Sequence, residues 1–471
     1  MTDLPASPIP SSPEELCVRF TEALPFRPVA EQREALLVVA RFLFSPEPTK
    51  ALILNGFAGT GKTSLMAAVV KVLASLKKRT VTLAPTGRAA KVASGFSGAP
   101  ASTIHRHIYR PIGNEPGQRG FMLARNRLTD TLFIVDEASM ITDGNERDSL
   151  LLHLVRYVYS APGCTLMFVG DVAQLPPVGH EGSPAMEPNR LRQLGLTPWS
   201  ISLTQTMRQG ENSGILLNAT LVRQALYTAN PVQLTLRVRG FSDVEVVSSY
   251  DLADTLASSW DRVGAEETII ITRSNKRANN FNSQLRARVL MAEEPLQRGE
   301  RLIISKNDYY WCERNKVKGF LANGQTAEVV WAGGMEKAYG RYFVDAELQL
   351  PDSETPIGVK IMLRSLMAEG PSVPAQEMQQ FYRMVMDSYE GEFSEKDRAT
   401  ADDPYFNALQ VKYAYCVTCH KAQGGQWRHV YLDLGTIMPE AIGPDFCRWL
   451  YTALTRATEK VFLINPSLPV A

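Results

Sequence analysis

The stretch ALILNGFAGTGKTSLMAAVV, residues 51–70, decides the fold. It begins as an apolar strand, passes through a glycine-rich loop and continues with helical spacing of apolar residues. Residues 56–63 match the pattern G-x-x-x-x-G-K-[ST], in which glycines let backbone N–H groups turn inward around phosphates at a helix N-terminus. The pattern predicts a nucleotide site, with Lys62 reaching the β- and γ-phosphates and the Thr63 hydroxyl holding Mg²⁺.

Two further strand ends are polar, as a nucleotide site of this type requires. Asp136 and Glu137 follow the apolar run 132–135, and the carboxyl ends of such strands are where α/β proteins bind ligands. Asp136 is predicted to hold Mg²⁺, partly through water, and Glu137 to orient or deprotonate the attacking water. Gln174, in the segment GDVAQLPP at 170–177, is placed to sense the γ-phosphate or that water, although the segment also fits a plain proline-terminated loop.

Composition bounds the class of protein. The chain has 471 residues, 50 Lys and Arg, 49 Asp and Glu, and 45% apolar residues, which suits roughly three domains that each bury a core. These figures exclude a disordered chain, a collagen-like fibre and a disulfide scaffold. A net charge of +1 excludes a histone-like carpet of positive charge but leaves room for a local basic groove that binds nucleic acid.

The N-terminal segment, the apolar runs and the cysteines indicate the cellular compartment in which the protein is expected. Residues 1–15 are rich in proline and serine and read as a flexible tail without the apolar core of a secretory signal. The longest apolar run, 35–44, is too short to span a membrane. A cytoplasmic protein without a membrane partner is expected, with its six cysteines as buried thiols.

Strand and helix signals alternate over most of the chain. They predict an α/β fold with parallel sheets: strands at 51–55, 80–85, 132–135 and 165–169 form a first unit, and a second unit begins near Ile201. Strands at 268–272, 411–417 and 429–434 belong to the second unit. From 299 the pattern changes to short strands separated by Gly, Asn, Asp and Pro, which predicts an inserted β-barrel or sandwich, followed by a helix at 377–389 and a polar linker at 391–404.

Six motifs in a fixed order carry a family resemblance. They are the loop at 56–63, DEASM at 136–140, GDVAQLPP at 170–177, TMRQ at 206–209, TCHKAQG at 418–424 and LYTALTRA at 450–457. With these motifs, the chain from Gln32 to Val461 resembles the superfamily 1 DNA helicases of the RecD-like, 5′→3′ branch, and is similar to the phage Dda helicase.

The resemblance implies a domain plan. Two RecA-like P-loop domains would hold ATP between them: domain 1A at 16–199, with a hairpin subdomain 1B at about 106–127, and domain 2A at 200–298 and 405–471. An SH3-like β-barrel, domain 2B, would occupy 299–404 together with a helical arm that either closes over DNA or packs on the barrel. The hairpin would act as the wedge that separates strands.

The resemblance also assigns the ATP site, with ATP and Mg²⁺ as cofactors. Gln32 would read adenine, since an amide both donates and accepts hydrogen bonds, although a solvated helix residue is the alternative. Arg208 and Arg456 would reach the γ-phosphate from the second domain as always-charged guanidinium groups. The implied catalytic residues are Glu137, Lys62, Gln174, Arg208 and Arg456. The implied ATP-binding residues are Gln32, Gly56, Ala58, Gly59, Thr60, Gly61, Lys62, Thr63 and Ser64, with Thr63 and Asp136 on the metal.

DNA contacts are expected on another edge of the same domains. Hydroxyl, imidazole and ammonium groups of the matching motifs bond phosphate oxygens without reading sequence. The implied DNA-binding residues are Pro85, Thr86, Gly87, Thr103, His105, Thr418, His420 and Lys421. The aromatic run Tyr309-Tyr310-Trp311 either stacks on DNA bases or packs inside the barrel.

The resemblance implies a monomeric, ATP-driven helicase acting on single-stranded and forked DNA, in replication, repair or recombination. Two alternatives stay open at this point. One is an ATPase that remodels nucleoprotein without unwinding, and the other is a P-loop kinase or metabolic enzyme. The hairpin and the barrel favour unwinding, and Gln174 with the two arginines favours hydrolysis over transfer to a small substrate.

Overall fold

The first parallel sheet carries the glycine-rich loop. The computed structural model describes residues 10–112, 120–144, 149–205, 212–228, 234–317, 320–351, 353–438 and 441–471. The strands of this sheet are β1 Lys50–Gly56, β2 Arg79–Ala84, β3 Ala101–Thr103, β6 Thr131–Val135, β7 Thr165–Gly170 and β8 Thr197–Leu203. Their spatial order is β3-β2-β6-β7-β1-β8, with every neighbouring pair parallel.

Helices cover both faces of this sheet, because its strands are apolar on both sides. They are α1 Pro13–Glu22, α2 Ala30–Phe44, α3 Lys62–Ser75, α4 Gly87–Ser97, α5 Ile104–Ile108, α6 Leu150–Tyr159 and α7 Pro188–Gln193, with 3₁₀ turns at Ala138–Met140 and Pro184–Met186. The tail expected at 1–15 ends earlier than predicted, because the Ser12 hydroxyl caps α1 by accepting from the Glu15 N–H. Residues 1–9 lie outside the described part of the chain.

A second parallel sheet follows in the chain. Its strands are β9 Val244–Val247, β10 Thr268–Thr272, β16 Cys416–Thr418, β17 Trp427–Asp433 and β18 Ala457–Ile464, in the order β16-β10-β17-β18-β9. Its helices are α8 Gly214–Leu226, α9 Leu252–Val263, α10 Asn275–Arg288, α15 Cys419–Ala422 and α16 Pro444–Leu454. The predicted α/β class with two parallel sheets is therefore confirmed. The boundary expected at 199/200 falls inside β8, which pairs with β1 and so completes the first sheet.

A five-stranded antiparallel sheet lies between the two parts of the second unit. Its strands are β11 Arg301–Ile304, β12 Thr326–Ala338, β13 Arg341–Gln349, β14 Ile357–Met362 and β15 Val411–Tyr413, in the order β14-β13-β12-β11-β15. We call it, with its helices α11 Tyr310–Arg314, α12 Leu363–Leu366, α13 Ala375–Asp387 and α14 Phe393–Ala401, the β module. Its classification as an SH3-like barrel stays a prediction.

Two expectations for this region change. The single strand predicted at 411–417 is two strands, because β15 pairs with β11 in the β module while β16 pairs with β10 in the parallel sheet. The linker predicted at 391–404 contains α14, which packs beside α13. Within the β module, helix α13 packs on the antiparallel sheet. Its Phe381 and Val385 are buried against Phe343 and Met362.

A short hairpin projects between α5 and β6. Its strands β4 Tyr109–Ile112 and β5 Gly120–Leu123 pair antiparallel, with Tyr109 opposite Leu123. The Tyr109 hydroxyl lies 2.7 Å from His153 Nδ1, which fixes the base of the hairpin to α6. The connecting residues 113–119 lie outside the described part of the chain.

Candidate functional site

The glycine-rich loop connects β1 to the N-terminus of α3. Gly59 and Gly61 have φ values of +76° and +88°, which suit glycine and turn the loop back on itself. The Lys62 ammonium donates to the Gly56 and Phe57 carbonyls, the latter at 3.1 Å. The lysine thus lies across the concave side of the loop, where a phosphate would take the place of the two carbonyls.

Gln32 is built into the same loop. Its side chain is 1% exposed, and its amide donates to the Thr60 carbonyl at 2.8 Å while accepting from the Val29 N–H at 3.1 Å. A β-carbon on Gly61 would lie 2.7 Å from the Gln32 amide nitrogen, so this packing requires glycine there. The amide therefore supports the loop directly, which excludes the alternative of a solvated helix residue, whereas the adenine contact stays a prediction.

The acidic pair emerges from β6 beside the loop. Asp136 is buried, and its carboxylate accepts from the Glu137 N–H at 2.9 Å. Burial, together with the negative charge of Glu137, raises the pKa of Asp136 to about 7. Glu137 has a φ of +51°, a conformation that side chains seldom adopt and that clusters at functional sites.

Arg456 reaches this pair from the second unit. Its guanidinium lies 3.8 Å from Glu137 Oε1 and is 3% exposed. Hydrogen bonds to the Thr452 carbonyl at 3.0 Å and the Gly425 carbonyl at 3.3 Å hold it in place. The predicted convergence of Arg456 on the first sheet is thus visible in the geometry, whereas Arg208 lies outside the described residues.

The loop after β7 is clamped between the two units. Gln423 donates to the Leu175 carbonyl at 2.6 Å, and the Leu175 N–H donates to the Thr452 hydroxyl at 2.8 Å. The adjacent Gln174 is 4% exposed, and its Oε1 has no hydrogen-bond partner within the described chain. A buried amide oxygen without a partner is costly, so this atom is suited to receive a ligand or water.

These residues fit a magnesium nucleotide. The loop curves its backbone into a concave surface, Lys62 supplies a cation, and Thr63 and Asp136 supply the oxygen ligands that Mg²⁺ prefers. Ser64 lies in the first turn of α3, and Gly56 is crowded by Lys62 Cγ and the Thr60 hydroxyl at 2.9 Å from its ideal β-carbon position. The arrangement can bind phosphates and place a carboxylate near their outer end.

A groove runs between α4 and the β module. One cavity of about 650 Å³ is lined by Thr86, Thr418, His420 and Lys421, and another of about 800 Å³ by Gly87 and Thr103. His105 lies beside the second cavity, with its ring 6.3 Å from that of Phe320. Pro85 does not line either cavity. The structure thus brings most of the predicted DNA-binding residues to one groove.

The hydroxyls and cations in this groove have different local roles. Thr86 and Thr103 cap α4 and α5 by accepting from the Ala89 and Arg106 N–H groups, both at 3.2 Å. Lys421 Nζ is buried without a hydrogen-bond partner in the described part of the molecule. Burial, followed by the nearby charge of Lys412, lowers the pKa of Lys421 to about 8. An anion in the groove would supply the partner that this ammonium lacks.

Sequence reasoning missed several groove residues. Arg88 donates to the Gln426 carbonyl at 2.6 Å, and its guanidinium lies 3.9 Å from the centre of the Trp427 ring, so it joins α4 to the second sheet. Phe320 lines the groove, and its ring lies 4.8 Å from that of Tyr309 with a tilt of 40° between the ring planes. Tyr310 and Trp311 are 4% and 6% exposed and donate to backbone carbonyls, so within the aromatic run these two belong to the core.

Metal-ligand clusters, disulfides and membrane-spanning helices are all absent from the described residues. No group of three or more His, Cys, Asp or Glu side chains there is arranged to hold a metal ion. All six cysteines are free, and five of them are buried. In the described helices, none combines the length and apolar character needed to cross a membrane.

Two family models match the chain. Residues 30–226 match the AAA domain, and residues 413–464 match the UvrD-like helicase C-terminal domain. The ATP-dependent RecD2 DNA helicase of Deinococcus radiodurans is 28% identical over 426 residues, covering 88% of this chain and 46% of that protein. The ATP-dependent DNA helicase dda of Enterobacteria phage T4 is 26% identical over 326 residues, covering 67% of this chain and 69% of that protein.

The chain thus spans less than half of the RecD2 protein it matches. Among solved structures, the Pif1 helicase from Bacteroides in complex with ADP-AlF3 and ssDNA is similar over 95% of both chains, with 17% identity and a TM-score of 0.48.

Replacing Lys62 with alanine should reduce ATP hydrolysis by about a hundredfold or more, because charge developing on the γ-phosphoryl group would lose its cation. The melting temperature should change little, because the hydrogen bonds of this ammonium within the described residues are to the Gly56 and Phe57 carbonyls and not to the core. Lys71→Ala, on the exposed side of the same helix, is the matched control. Near-normal turnover of Lys62→Ala would contradict the assignment of the loop.

Glu137→Gln should bind magnesium nucleotide and hydrolyse it about a hundredfold more slowly, because an amide does not accept the proton of the attacking water. Asp136→Asn should instead weaken binding of the magnesium complex, since the buried carboxylate is the proposed metal ligand. Nucleotide affinity and single-turnover rates distinguish the two variants. Loss of nucleotide binding in Glu137→Gln would refute this division of roles.

Proposed function

We propose that the chain is a superfamily 1 helicase, an ATP-dependent DNA helicase that translocates on single-stranded DNA 5′→3′ and unwinds duplexes. In this proposal ATP and Mg²⁺ bind between the two parallel sheets, and a monomer of the chain performs the work. The proposal rests on a link between two places in the structure, the nucleotide cleft and the groove.

Residues 418–427 form that link. His420 and Lys421 line the groove, and Gln423, two residues after Lys421, donates to the Leu175 carbonyl beside Gln174. Gly424 lies against α4, where an added β-carbon would be 2.9 Å from the Thr86 hydroxyl. A change at the nucleotide would therefore reach the groove through this short segment. The contact of residues 418–427 with both places is the observation that carries the proposal.

The proposed hydrolytic step uses this chain's own groups. Lys62 and the loop N–H groups orient the phosphates, and Thr63 and Asp136 hold Mg²⁺, which neutralises phosphate charge when bound. Glu137 accepts the proton of the attacking water, and Gln174 orients that water. Arg456, joined by Arg208, stabilises the charge that develops on the γ-phosphoryl group as the cleft closes.

The proposed DNA contacts are to the phosphate backbone of the nucleic acid. Besides Lys421, the groove is lined by Arg88, Arg273 and Lys276, which suits a chain of phosphates. No acidic pair accompanies them in that cavity; Glu369 is the one carboxylate among its described lining residues. Cations and hydroxyls of this kind bind single strands without selecting a sequence.

Comparing ATPase rates with and without single-stranded DNA tests the proposal. Single strands should stimulate turnover several-fold, and a duplex with a 5′ tail should be unwound while one with a 3′ tail is not. Lys62→Ala serves as the inactive control in both assays. Stimulation without strand displacement would favour the nucleoprotein remodeller instead. A rate indifferent to DNA would favour an enzyme with a small substrate, and selective unwinding of 3′ tails would reverse the polarity.

The β4–β5 hairpin is proposed as the strand-separating wedge. Replacing residues 111–121 with a short Gly-Ser linker should leave DNA-stimulated ATPase largely intact and reduce unwinding of forked duplexes. Tyr109 and Leu123 are retained because they pack against the core of the first unit. Met122, 56% exposed on β5, gives a milder variant, Met122→Ser, with the same expected direction.

Unwinding at the wild-type rate by the linker variant would remove the wedge role. Loss of ATPase and unwinding together would instead assign the hairpin to the support of the first sheet.

A further inference from the structure

One side chain of α16 bonds two loops of the nucleotide cleft at once. Tyr451, 2% exposed, donates its hydroxyl proton to Asp171 Oδ2 at 2.6 Å and accepts from the Ala58 N–H at 2.8 Å. Ala58 belongs to the glycine-rich loop after β1, and Asp171 begins the loop after β7. A single oxygen of the second unit thus joins the two loops that surround the proposed γ-phosphate position.

The bridge bears on Gln174 through Asp171. Asp171 Oδ1 accepts from the Ala173 N–H at 3.0 Å, and the Asp171 carbonyl accepts from the Gln174 N–H at 3.2 Å. The carboxylate therefore fixes the turn that ends at Gln174, whose Oε1 is buried and unpartnered in the described chain. A shift of the Asp171 carboxylate would therefore change the position of Gln174 Oε1.

Other contacts hold the same interface without the hydroxyl. Thr452 accepts from the Leu175 N–H, and the Arg223 guanidinium of α8 lies 4.0 Å from the centre of the Phe57 ring. Phe57 and Ala58 also pack against the apolar core of the second unit. The substitution Tyr451→Phe would preserve this packing and remove only the polar bridge.

We propose that Tyr451 is a positioning residue for ATP hydrolysis, whose hydroxyl sets the phosphate-binding loop and the Gln174 turn in register with the second sheet. This inference rests on the proposed function. Tyr451 does not touch the reacting atoms in this scheme; it acts through Ala58 and Asp171. Both partners lie in loops of the first unit and Tyr451 lies on a helix of the second, so the bridge joins the two units across the cleft.

Tyr451→Phe tests the proposal against Tyr431→Phe as a matched control. Tyr431 is also fully buried, and its hydroxyl donates to the Thr255 carbonyl at 2.8 Å within the second unit, away from the cleft. Loss of a hydrogen bond to a carboxylate should lower the DNA-stimulated kcat of Tyr451→Phe by about tenfold. The Kd for magnesium nucleotide should stay within about twofold, because ground-state phosphate contacts are retained.

The control variant should keep its kcat while losing comparable thermal stability. An unchanged kcat in Tyr451→Phe, or a loss of kcat equal to that of the control, would overturn the positioning role. A double variant Tyr451→Phe/Asp171→Asn should lose less than the sum of the two single losses, since both changes break the Tyr451–Asp171 bond. Additive losses would also overturn it.

Hydrogen exchange gives a readout that does not depend on hydrolysis. The Ala58 amide should exchange faster in Tyr451→Phe than in the unaltered chain without nucleotide, and Tyr431→Phe should leave it unchanged. Equal exchange in the unaltered chain and Tyr451→Phe would show that the bridge is not formed and would refute the inference. Slow exchange in an unaltered chain that does not hydrolyse ATP would instead refute the proposed function and retain the bridge.

Discussion

A parallel strand must be followed by a crossover, so all the strands of one parallel sheet end at the same edge. In the first sheet this rule gathers the phosphate loop after β1, the acidic pair after β6 and the Gln174 turn after β7 at one place. The second sheet obeys the same rule, and its own polar segment after β16 faces that edge. The composition of the cleft follows from this constraint. Residues that are far apart in the chain lie together at this edge because each directly follows a strand of the same sheet.

Predictability was greatest where backbone geometry fixes the residue type. Gly59 and Gly61 occupy conformations that favour glycine, and the loop between an apolar strand and a helix has few alternatives. The contacts of Gln32 were less accessible, because an amide that supports a loop and an amide that reads a base have the same sequence signature. Thr86 and Thr103 illustrate the same limit, since a threonine before a helix is a cap in its own right.

Long-range pairing accounts for the expectations that changed. The sequence of β8 fits equally well the last strand of the first sheet and the first strand of the second. Only its pairing with β1 assigns it to the first sheet. The residues 411–417 are apolar except for Lys412 and fit one strand, yet Ala414 bonds to Arg301 while Tyr415 bonds to Ile270, so the segment is divided between two sheets. Arg88 gave no signal as a partner of Trp427, because a cation and a ring separated by hundreds of residues leave no local pattern.

The division at Ala414 and Tyr415 has a mechanical consequence. Only two residues separate β15 in the β module from β16 in the parallel sheet, and the apolar core is continuous across them, joining Leu302 and Val329 to Ile270 and Tyr431. A two-residue joint inside a shared core has no freedom to swivel. The β module is therefore expected to move with the second sheet as one body: a small rotation of that sheet at the cleft would become a larger displacement at the far end of β12 and β13, in proportion to the distance from the pivot.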